Sequence, residues 1–277
     1  MPSKEVINGI KSVIEDLMES VMTKVLVTNP FIPEEFHAQK PLYAALVPDE
    51  IFKGSHFERR FVTPFGTVWE KLAYVVGTAH FGTCTLQKKI EGNIRVGRLQ
   101  RIQQILNEED HAPKGQKKRK PNWDADLAYV LGGKGSLVPV EVVCDVFVES
   151  TGSKTKYAFE LKAPLPNSDQ TKVSKEKMLK LMAMENRPVD MAYYALVYNP
   201  YGSRENYSWS FPKKWFDFQK DKSLLIGDEF WDLLGGIGTY ENFIKEINKL
   251  GCDYKERIYR DYLKIEIPEG ALDNVLK

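Results

Sequence analysis

The sequence predicts an α/β fold in which a mixed central β-sheet is flanked by helices, with extra helices at the N- and C-terminal ends. Two strand-like segments, residues 145–149 and 157–161, lie on either side of a short turn near the middle of the chain. A helical segment and a further strand at residues 192–198 follow them, which gives a strand–helix–strand unit. Apolar residues also recur at helical spacing towards both ends of the chain. These observations together favour one sheet with helices packed on its faces.

The N-terminal part is predicted to be helical. Residues 4–26 place apolar side chains at the spacing of a long amphipathic helix. Asn29 and Pro30 end this helix, because a residue before proline disfavours the helical conformation. The chain up to residue 65 then contains several prolines and predicts a connection with short elements. Residues 1–65 are therefore expected to form a helical N-terminal extension.

The central part is predicted to alternate helices and strands. A helix is expected to begin at Gly66, and residues 94–109 predict a helix with a basic side. Residues 124–130 predict a strand that ends at the Gly132–Gly133 pair. After the two strands of the turn, residues 172–184 predict a helix that leads to the third strand.

The composition predicts a single domain over residues 1–277. The chain is 43% hydrophobic and 28% charged, and it contains no repeat or low-complexity segment that would divide it. We expect a central core at residues 66–200 and a mainly helical C-terminal part at residues 201–277.

The sequence predicts a cytosolic protein that does not enter a membrane. The longest uncharged stretch, residues 72–87, is too short and too polar to span a bilayer. The N-terminus lacks an apolar signal core followed by small residues. The three cysteines are far apart, which argues against a disulfide framework or a thiolate zinc site.

The turn between the two central strands predicts their register. Gly152–Ser153 suits a two-residue type II′ turn with glycine at its first central position. In that register Asp145 lies opposite Glu160, and Glu149 lies opposite Lys156. Two carboxylates then face each other across the pair of strands.

The alternation of side chains predicts one polar and one apolar face for these strands. Glu160 and Lys162 share the face of Asp145. Directly opposed carboxylates destabilise a sheet unless a cation neutralises them, and carboxylate oxygens are ligands that Mg²⁺ prefers. The alternative is a hairpin with one solvated face. The residues expected on the apolar face are Cys144, Val146, Val148, Tyr157, Phe159 and Leu161.

Basic residues are concentrated locally although the net charge is only +1. Residues 88–120 and the region from residue 154 to residue 180 are both rich in lysine and arginine, which favours contact with a phosphate backbone. A solvated loop or helix face is the alternative for each stretch. The residues considered as nucleic-acid contacts are Arg95, Arg98, Arg101, Lys117, Lys118, Arg119, Lys120, Gln170, Lys172, Lys175, Arg204 and Asn206.

Taken together, the motifs resemble type II restriction endonucleases of the PD-(D/E)xK superfamily, and most closely the TdeIII-like group. The resemblance extends over most of the chain. The segments that carry it are Thr28–Phe31, Phe65–Glu70, Trp123–Asp126, Glu160–Pro164, Asp169–Lys172 and Gly227–Asp232.

The resemblance implies a homodimeric, Mg²⁺-dependent enzyme that cuts both strands of double-stranded DNA at a short, usually palindromic sequence. Asp145 matches the first metal-binding acid and Glu160 the second, and the backbone carbonyl of Leu161 completes the metal ligands. Lys162 matches the lysine beside the attacked phosphate. Glu70 matches the glutamate that many members place on a helix near the metal. The TdeIII likeness favours a GC-rich site of the form GG-any-CC.

Two departures from the family pattern leave alternatives open. Cys144 stands where the family has proline, and Asp124 and Asp126 are rival candidates for the first acid. The same fold would also suit a repair or recombination nuclease, or a DNA-binding protein without catalytic activity.

Overall fold

The computed structural model describes residues 2–112, 115 and 117–275, and this part of the chain contains a five-stranded sheet and helices that precede, connect and follow its strands. The strands are β1 (Gly82–Arg95), β2 (Leu137–Ser150), β3 (Lys156–Lys162), β4 (Met191–Leu196) and β5 (Leu224–Ile226). The helices are α1 (Lys4–Thr23), α2 (Pro33–Gln39), α3 (Pro41–Ala44), α4 (Asp49–Val62), α5 (Phe65–Phe81), α6 (Val96–Asp110), α7 (Trp123–Leu131), α8 (Ser168–Ala183), α9 (Ser210–Lys213), α10 (Asp228–Gly235) and α11 (Thr239–Arg257). Short π-helical segments, Lys24–Thr28 and Ile258–Leu263, extend α1 and α11.

The sheet is mixed, as the sequence predicts. Its strand order is β1-β2-β3-β4-β5, with antiparallel pairing from β1 to β3 and parallel pairing from β3 to β5. Helix α8 connects the parallel strands β3 and β4 and packs against β4 and β2. The predicted α/β class and strand–helix–strand unit are therefore confirmed.

The expected strand at residues 124–130 is wrong, because this segment is helix α7. The side chain of Asn122 caps the helix by accepting a hydrogen bond from the backbone N–H of Ala125 at 3.0 Å. Asp124 and Asp126 occupy its first turn, where carboxylates interact favourably with the helix dipole. The cap and the acidic first turn were the sequence signals for a helix.

Strand β1 was not predicted. It runs directly on from α5, and its burial alternates between partly buried and exposed positions. Its exposed face carries charged residues such as Lys89 and Glu91, which are poor strand formers. The apolar alternation that would mark a strand is therefore weak in this segment.

The predicted turn type is wrong, but the predicted register is confirmed. Gly152 lacks the positive φ of a type II′ turn, and Lys154 has φ +60° instead. The backbone N–H of Lys154 donates to the carbonyl of Ser150 at 2.9 Å, and that of Ser150 to the carbonyl of Thr155 at 2.9 Å. The loop is thus two residues longer than expected but centred on the same point. Pairing of Glu149 with Lys156 and of Val146 with Phe159 therefore follows the predicted register.

The chain divides into two compact units. The sheet unit comprises Met1–Ser3 and Ala73–Tyr240, and the helical unit comprises Lys4–Leu72 and Glu241–Lys277. The single-domain organisation, with boundaries near residues 65 and 200, stays a prediction. Among the described residues, no helix is both long enough and apolar enough to cross a membrane.

Each unit has its own hydrophobic core. In the sheet unit, a large cluster that includes Phe147, Ala158 and Met178 fills the space between the sheet and α8. In the helical unit, Met18 and Tyr254 belong to a smaller cluster of residues from α1 and α11. The strands that carry Asp145, Glu160 and Lys162 lie in the sheet unit, whereas Glu70 lies in the helical unit.

Candidate active site

The candidate site forms where β2 and β3 separate. Backbone pairing between these strands ends at Val146 and Phe159. Beyond it, the side chain of Asp145 accepts a hydrogen bond from the backbone N–H of Leu161 at 2.8 Å. The carboxylate thus takes the place of a backbone acceptor, which fixes Asp145 beside the end of β3.

The strand alternation is also disturbed at this point. The pairing of β1 with β2 skips Gln87 and Asp145, and Gln87 has φ +48°. Cys144 belongs to the same core cluster as Phe147, so the prediction that it shares a face with Val146 is wrong. The irregularity lets Asp145 point towards β3 while its neighbours fill the core.

Lys162 joins the two carboxylates. Its ammonium Nζ lies 3.2 Å from Oδ2 of Asp145 and 3.7 Å from Oε2 of Glu160. The same Nζ donates a hydrogen bond to the backbone carbonyl of Leu161 at 2.8 Å. The structure therefore brings together all four groups that the sequence suggested as metal ligands and catalytic lysine.

Glu160 is the buried member of this group. Its side chain is 3% exposed, whereas that of Asp145 is 16% exposed. Burial, and secondarily the negative charge of Asp145, raises the pKa of Glu160 to about 7. The cations beside it favour its ionised form.

Helix α8 contributes two contacts to Glu160 that were not predicted. The ammonium of Lys177 forms an ion pair with Oε1, and the hydroxyl of Ser174 donates a long hydrogen bond of 3.5 Å to Oε2. Ser174 and Lys177 are three residues apart and so lie on the same side of the helix. This spacing, on a helix that follows directly after β3, is the signal that could have identified them.

The donor atoms present suit a hard divalent cation. Two carboxylates and one carbonyl offer oxygen ligands only, which is the preference of Mg²⁺. Oε1 of Glu160 is buried, and the ammonium of Lys177 lies against it as an ion pair. Among the described residues, no group of three or more His, Cys, Asp or Glu side chains could hold a metal. A cation here would thus need further oxygen ligands from water or phosphate.

The rival acids lie on α7, and one of them is committed elsewhere. Asp126 accepts hydrogen bonds from Lys175 at 2.8 Å and from Arg119 at 2.7 Å. Asp124 is exposed in the first turn of the helix. Of the three candidates for the first acid, Asp145 is the one that shares Lys162 with Glu160.

The expectation that Lys175 contacts DNA is contradicted by its position. Its side chain is 0% exposed, and its ammonium donates to Glu109 at 2.6 Å, to Asp126 at 2.8 Å and to the carbonyl of Trp215 at 2.8 Å. An ammonium that is buried and donates its hydrogen bonds to internal acceptors cannot reach a phosphate. We call Glu109, Asp126, Lys175 and Arg119 the buried ion cluster.

Several other basic side chains expected to bind DNA form hydrogen bonds with residues of the protein itself. A role for them in DNA binding stays a prediction. Arg98, for example, is 15% exposed and donates to the carbonyl of Ala183 at 2.8 Å. Residues with such internal partners are Arg95 with Glu185, Arg98 with Ala183, Arg101 with Tyr129, Arg119 with Asp126, Lys172 with Asp110 and Arg204 with Glu229.

The remaining candidates for DNA contact are exposed to solvent. Lys114 and Gln116, which belong to the same basic segment as Lys117, lie outside the described residues. The exposed candidates are Lys117, Lys118, Lys120, Gln170 and Asn206.

Glu70 and Cys144, the two other residues that the family resemblance singled out, lie in different surroundings. Glu70 lies on α5 within the helical unit and is half-buried, and its catalytic role stays a prediction. Cys144 is buried, and burial raises the pKa of its thiol to about 12. The cysteine that stands where the family has proline is therefore a protonated core residue rather than a thiolate ligand.

The mixed sheet, with two acids and a lysine where β2 and β3 separate, places the chain in the class of restriction-endonuclease-like proteins. The family model described as "Type II restriction endonuclease, HinfI" matches residues 7–251, so the chain belongs to this family. The predicted resemblance to type II restriction endonucleases is confirmed, and HinfI is the group whose model matches.

Three restriction enzymes of Herpetosiphon aurantiacus are similar to the chain over most of its length. It is 27% identical to type II restriction enzyme HgiBI and 28% identical to HgiEI, in each case over 81% of this chain and 82% of the relative. It is 25% identical to HgiCII over the same shares. The family model and the three relatives that the chain matches are thus all type II restriction enzymes.

Proposed function

We propose that this restriction endonuclease makes Mg²⁺-dependent cuts in both strands of DNA, using Asp145, Glu160 and Lys162. The observation that carries the proposal is that one ammonium, Lys162 Nζ, lies within 3.2 Å of the first carboxylate and 3.7 Å of the second. The membership of the chain in a type II restriction endonuclease family supports DNA as the substrate.

The carboxylates of Asp145 and Glu160 and the carbonyl of Leu161 would hold the cation. Bound Mg²⁺ would polarise the scissile phosphate and lower the pKa of a bound water. The Leu161 N–H fixes one oxygen of Asp145 and leaves the other free to act as a ligand. Each of these three ligand groups already contacts or closely approaches the ammonium of Lys162, so the site is preorganised for positive charge.

Lys162 has two roles in this proposal. Without a divalent cation, its ammonium contacts Asp145 and the Leu161 carbonyl, two of the groups that would bind metal. In the complex with DNA, it turns towards the phosphate, orients the attacking water and offsets the charge that grows on the phosphorus substituents. Its side chain is 22% exposed, which leaves it room to reach a substrate.

Lys177 and Ser174 position Glu160. The ion pair with Lys177 favours the ionised carboxylate that metal binding requires, and the Ser174 hydroxyl holds the second oxygen. Because Lys177 is 26% exposed, it also adds positive charge to the side of the site that faces solvent.

DNA recognition is assigned to the exposed polar residues. Phosphate contacts fix the position of the protein, whereas contacts with base edges give specificity. Lys117, Lys118 and Lys120 suit phosphates or the O6 and N7 edge of guanine, and Gln170 and Asn206 are further polar candidates. The preferred site is a GC-rich palindrome of the form GG-any-CC, a proposal that rests on the TdeIII likeness.

A palindromic substrate and cutting of both strands favour a homodimer, because two copies related by a two-fold axis present one active site to each strand. A catalytic role for Glu70, which lies in the helical unit, belongs to the same proposal. The cytosolic location expected from the sequence stays a prediction.

The central test replaces Lys162 and separates catalysis from binding. Lys162→Ala is expected to lower the Mg²⁺-dependent cleavage rate by about 10²- to 10³-fold, because the transition state loses a positive charge. DNA binding in Ca²⁺ should persist. The affinity for Mn²⁺ should not fall, since the variant removes a positive charge beside the proposed metal ligands. Lys180→Ala is the matched control, because Lys180 lies on α8, is 28% exposed and pairs with Glu176. Undiminished cleavage by Lys162→Ala would remove this residue from the site.

The substrate is tested by digestion of a plasmid of known sequence. Discrete linear fragments whose sequenced ends share one GC-rich palindrome are expected. Nicked circles, or cleavage restricted to branched DNA, would favour the repair nuclease instead. Fragment ends with another shared palindrome would reject the GG-any-CC site while retaining the restriction activity.

A further inference from the structure

The segment from α2 to α4 in the helical unit exposes an unusual amount of apolar surface. None of the helices α2, α3 and α4 contains a buried residue. Of the nineteen large apolar side chains that are exposed in the described part of the chain, eight lie within residues 26–62. Leu42 and Leu46 are 80% and 81% exposed, and Tyr43 is 60% exposed. Such a concentration marks an interaction surface.

One side of α4 holds this segment to its own unit. The ring of Phe52 lies 4.2 Å from that of Phe36, and the ring of Phe57 lies 5.3 Å from that of Tyr262. Lys53 also donates a hydrogen bond to the carbonyl of Leu263 at 3.4 Å. The helix is therefore fixed, and its other side is free to receive a partner.

The outward side of α4 is a regular stripe whose members follow the spacing of one helix face. Ile51 and Val62 are 62% and 51% exposed at its ends. Nothing lies within 4 Å of the position that a Cβ would occupy on Gly54. In the described part of the chain, no ion pair involves the side chains of Glu58 and Arg59. The exposed members of the stripe are Ile51, Gly54, Ser55, Glu58, Arg59 and Val62.

This stripe is complementary to itself in an antiparallel arrangement. A two-fold axis midway along the stripe sets Ile51 opposite Val62 of a second copy, and Gly54 opposite Arg59 of that copy. Small residues thus face long ones, and apolar residues face apolar ones. The acidic first turn of α4 also meets the basic last turn of the other helix.

We propose that the outward stripe of α4, together with the exposed Leu42, Tyr43 and Leu46 that precede it in the chain, is the surface on which a second copy of this chain docks. The inference rests on the homodimer of the proposed function and names its contact surface. DNA is a poor occupant, because residues 33–62 contain five acidic and four Lys or Arg residues and so lack the basic excess that phosphates require. A symmetric protein partner needs the self-complementary pattern that α4 shows.

The test measures the mass of the full-length protein by sedimentation velocity. The wild type is expected at twice the 31.8 kDa of one chain. Ile51→Asp and Val62→Lys should each raise the dimer dissociation constant by at least about tenfold, because each places an unpaired charge in an apolar contact. The double variant Ile51→Asp, Val62→Lys should recover most of the affinity, since the two new charges lie opposite each other across the axis.

The control is Ile237→Asp, at an apolar residue of the sheet unit that is 82% exposed. It should leave the mass unchanged, and circular dichroism should show every variant folded. A monomeric wild type overturns the proposal, and so does a dimer that Ile51→Asp and Val62→Lys leave intact. A dimer that carries these effects but does not cut DNA would reject the proposed nuclease function alone, because the mass measurement needs no cleavage.

Discussion

Two ionic clusters in the sheet unit have the same formal composition and opposite surroundings. The cluster at the candidate active site, called the active-site cluster from here on, consists of Asp145, Glu160, Lys162 and Lys177. The buried ion cluster pairs two carboxylates with two cations in the same way. Helix α8 supplies a lysine to each, Lys177 to the first and Lys175 to the second. Lys175 is 0% exposed, whereas Lys177 is 26% exposed.

The difference in exposure suits the buried ion cluster to stabilising the fold and the active-site cluster to contact with a substrate. In the buried ion cluster, Lys175 joins Glu109 of α6 to Asp126 of α7, so the charges connect three helices. In the active-site cluster, two lysines converge on Glu160 from β3 and α8 at a place that solvent can reach. Loss of a charge from the first should lower the free energy of unfolding, and loss from the second should lower the cleavage rate.

The sharpest form of the comparison replaces one aspartate in each cluster. Asp145→Ala should lower Mg²⁺-dependent cleavage by about 10³-fold, because a metal ligand is lost. The free energy of unfolding of this variant should change little, since removal of Asp145 also relieves its repulsion with Glu160. Asp126→Ala should instead lower the free energy of unfolding by about 3 kcal/mol or more, because Lys175 loses a buried partner. Cleavage rates and urea unfolding of both variants check this contrast, and the reverse pattern would assign the first acid to Asp126.

The second prediction concerns the lysine of the buried ion cluster. Lys175→Met should lower the free energy of unfolding by about 3 to 5 kcal/mol, because Glu109 and Asp126 remain buried without it. Lys177→Met should cost less than about 1 kcal/mol, since its ion pair is partly exposed. Urea unfolding compares the two lysines. Equal stability losses would mean that exposure does not separate the clusters.

The third prediction is a pH dependence of stability. The pKa of Glu160 is raised from 4.5 to about 7, so the folded state keeps a proton that the unfolded state has lost. Its contribution to stability is full below about pH 4.5 and is lost as the pH rises to about 7, on the order of 3 kcal/mol at most. Burial raises the pKa of Glu109 to about 8, so its contribution to stability also falls as the pH rises.

The free energy of unfolding, measured in EDTA, should thus fall between pH 5 and pH 8. Glu160→Gln should flatten the part of the curve below about pH 7, and Glu109→Gln the part that extends to about pH 8. A Glu160→Gln curve with the same slope as that of the wild type would show that the pKa of Glu160 is not raised in the folded protein.

The sequence was most informative where local pattern determines geometry. The register that brings Asp145 towards Glu160 followed from alternation and the centre of a turn, and it held although the turn type was wrong. Helix α8 was predictable from periodicity, but the fate of its lysines was not. Lys175 and Lys177 differ only in which way each points, and this depends on the packing of α6 and α7 against α8.

The segment with Asp124 and Asp126 shows the opposite limit. Its apolar residues suit a strand as well as a short helix, and the decision came from the cap at Asn122. Once α7 is a helix, Asp126 turns inward to Lys175 and cannot serve the sheet edge. One local capping bond thus helped to settle which acid lies in the active-site cluster.

The smallest expected effect tests whether α8 serves both clusters. Lys177→Gln should lower cleavage about tenfold near neutral pH, because Glu160 loses the cation that favours its ionised form. Raising the pH should restore part of the rate, since Glu160 then ionises without help, and Lys177→Arg should retain most of it. A role in folding alone would not produce this recovery with pH.

Lys180→Gln, three residues further along α8, should behave as wild type at every pH, because Lys180 pairs with Glu176 outside both clusters. A rate for Lys177→Gln that is reduced equally at all pH values would assign Lys177 to contact with the DNA phosphate rather than to Glu160.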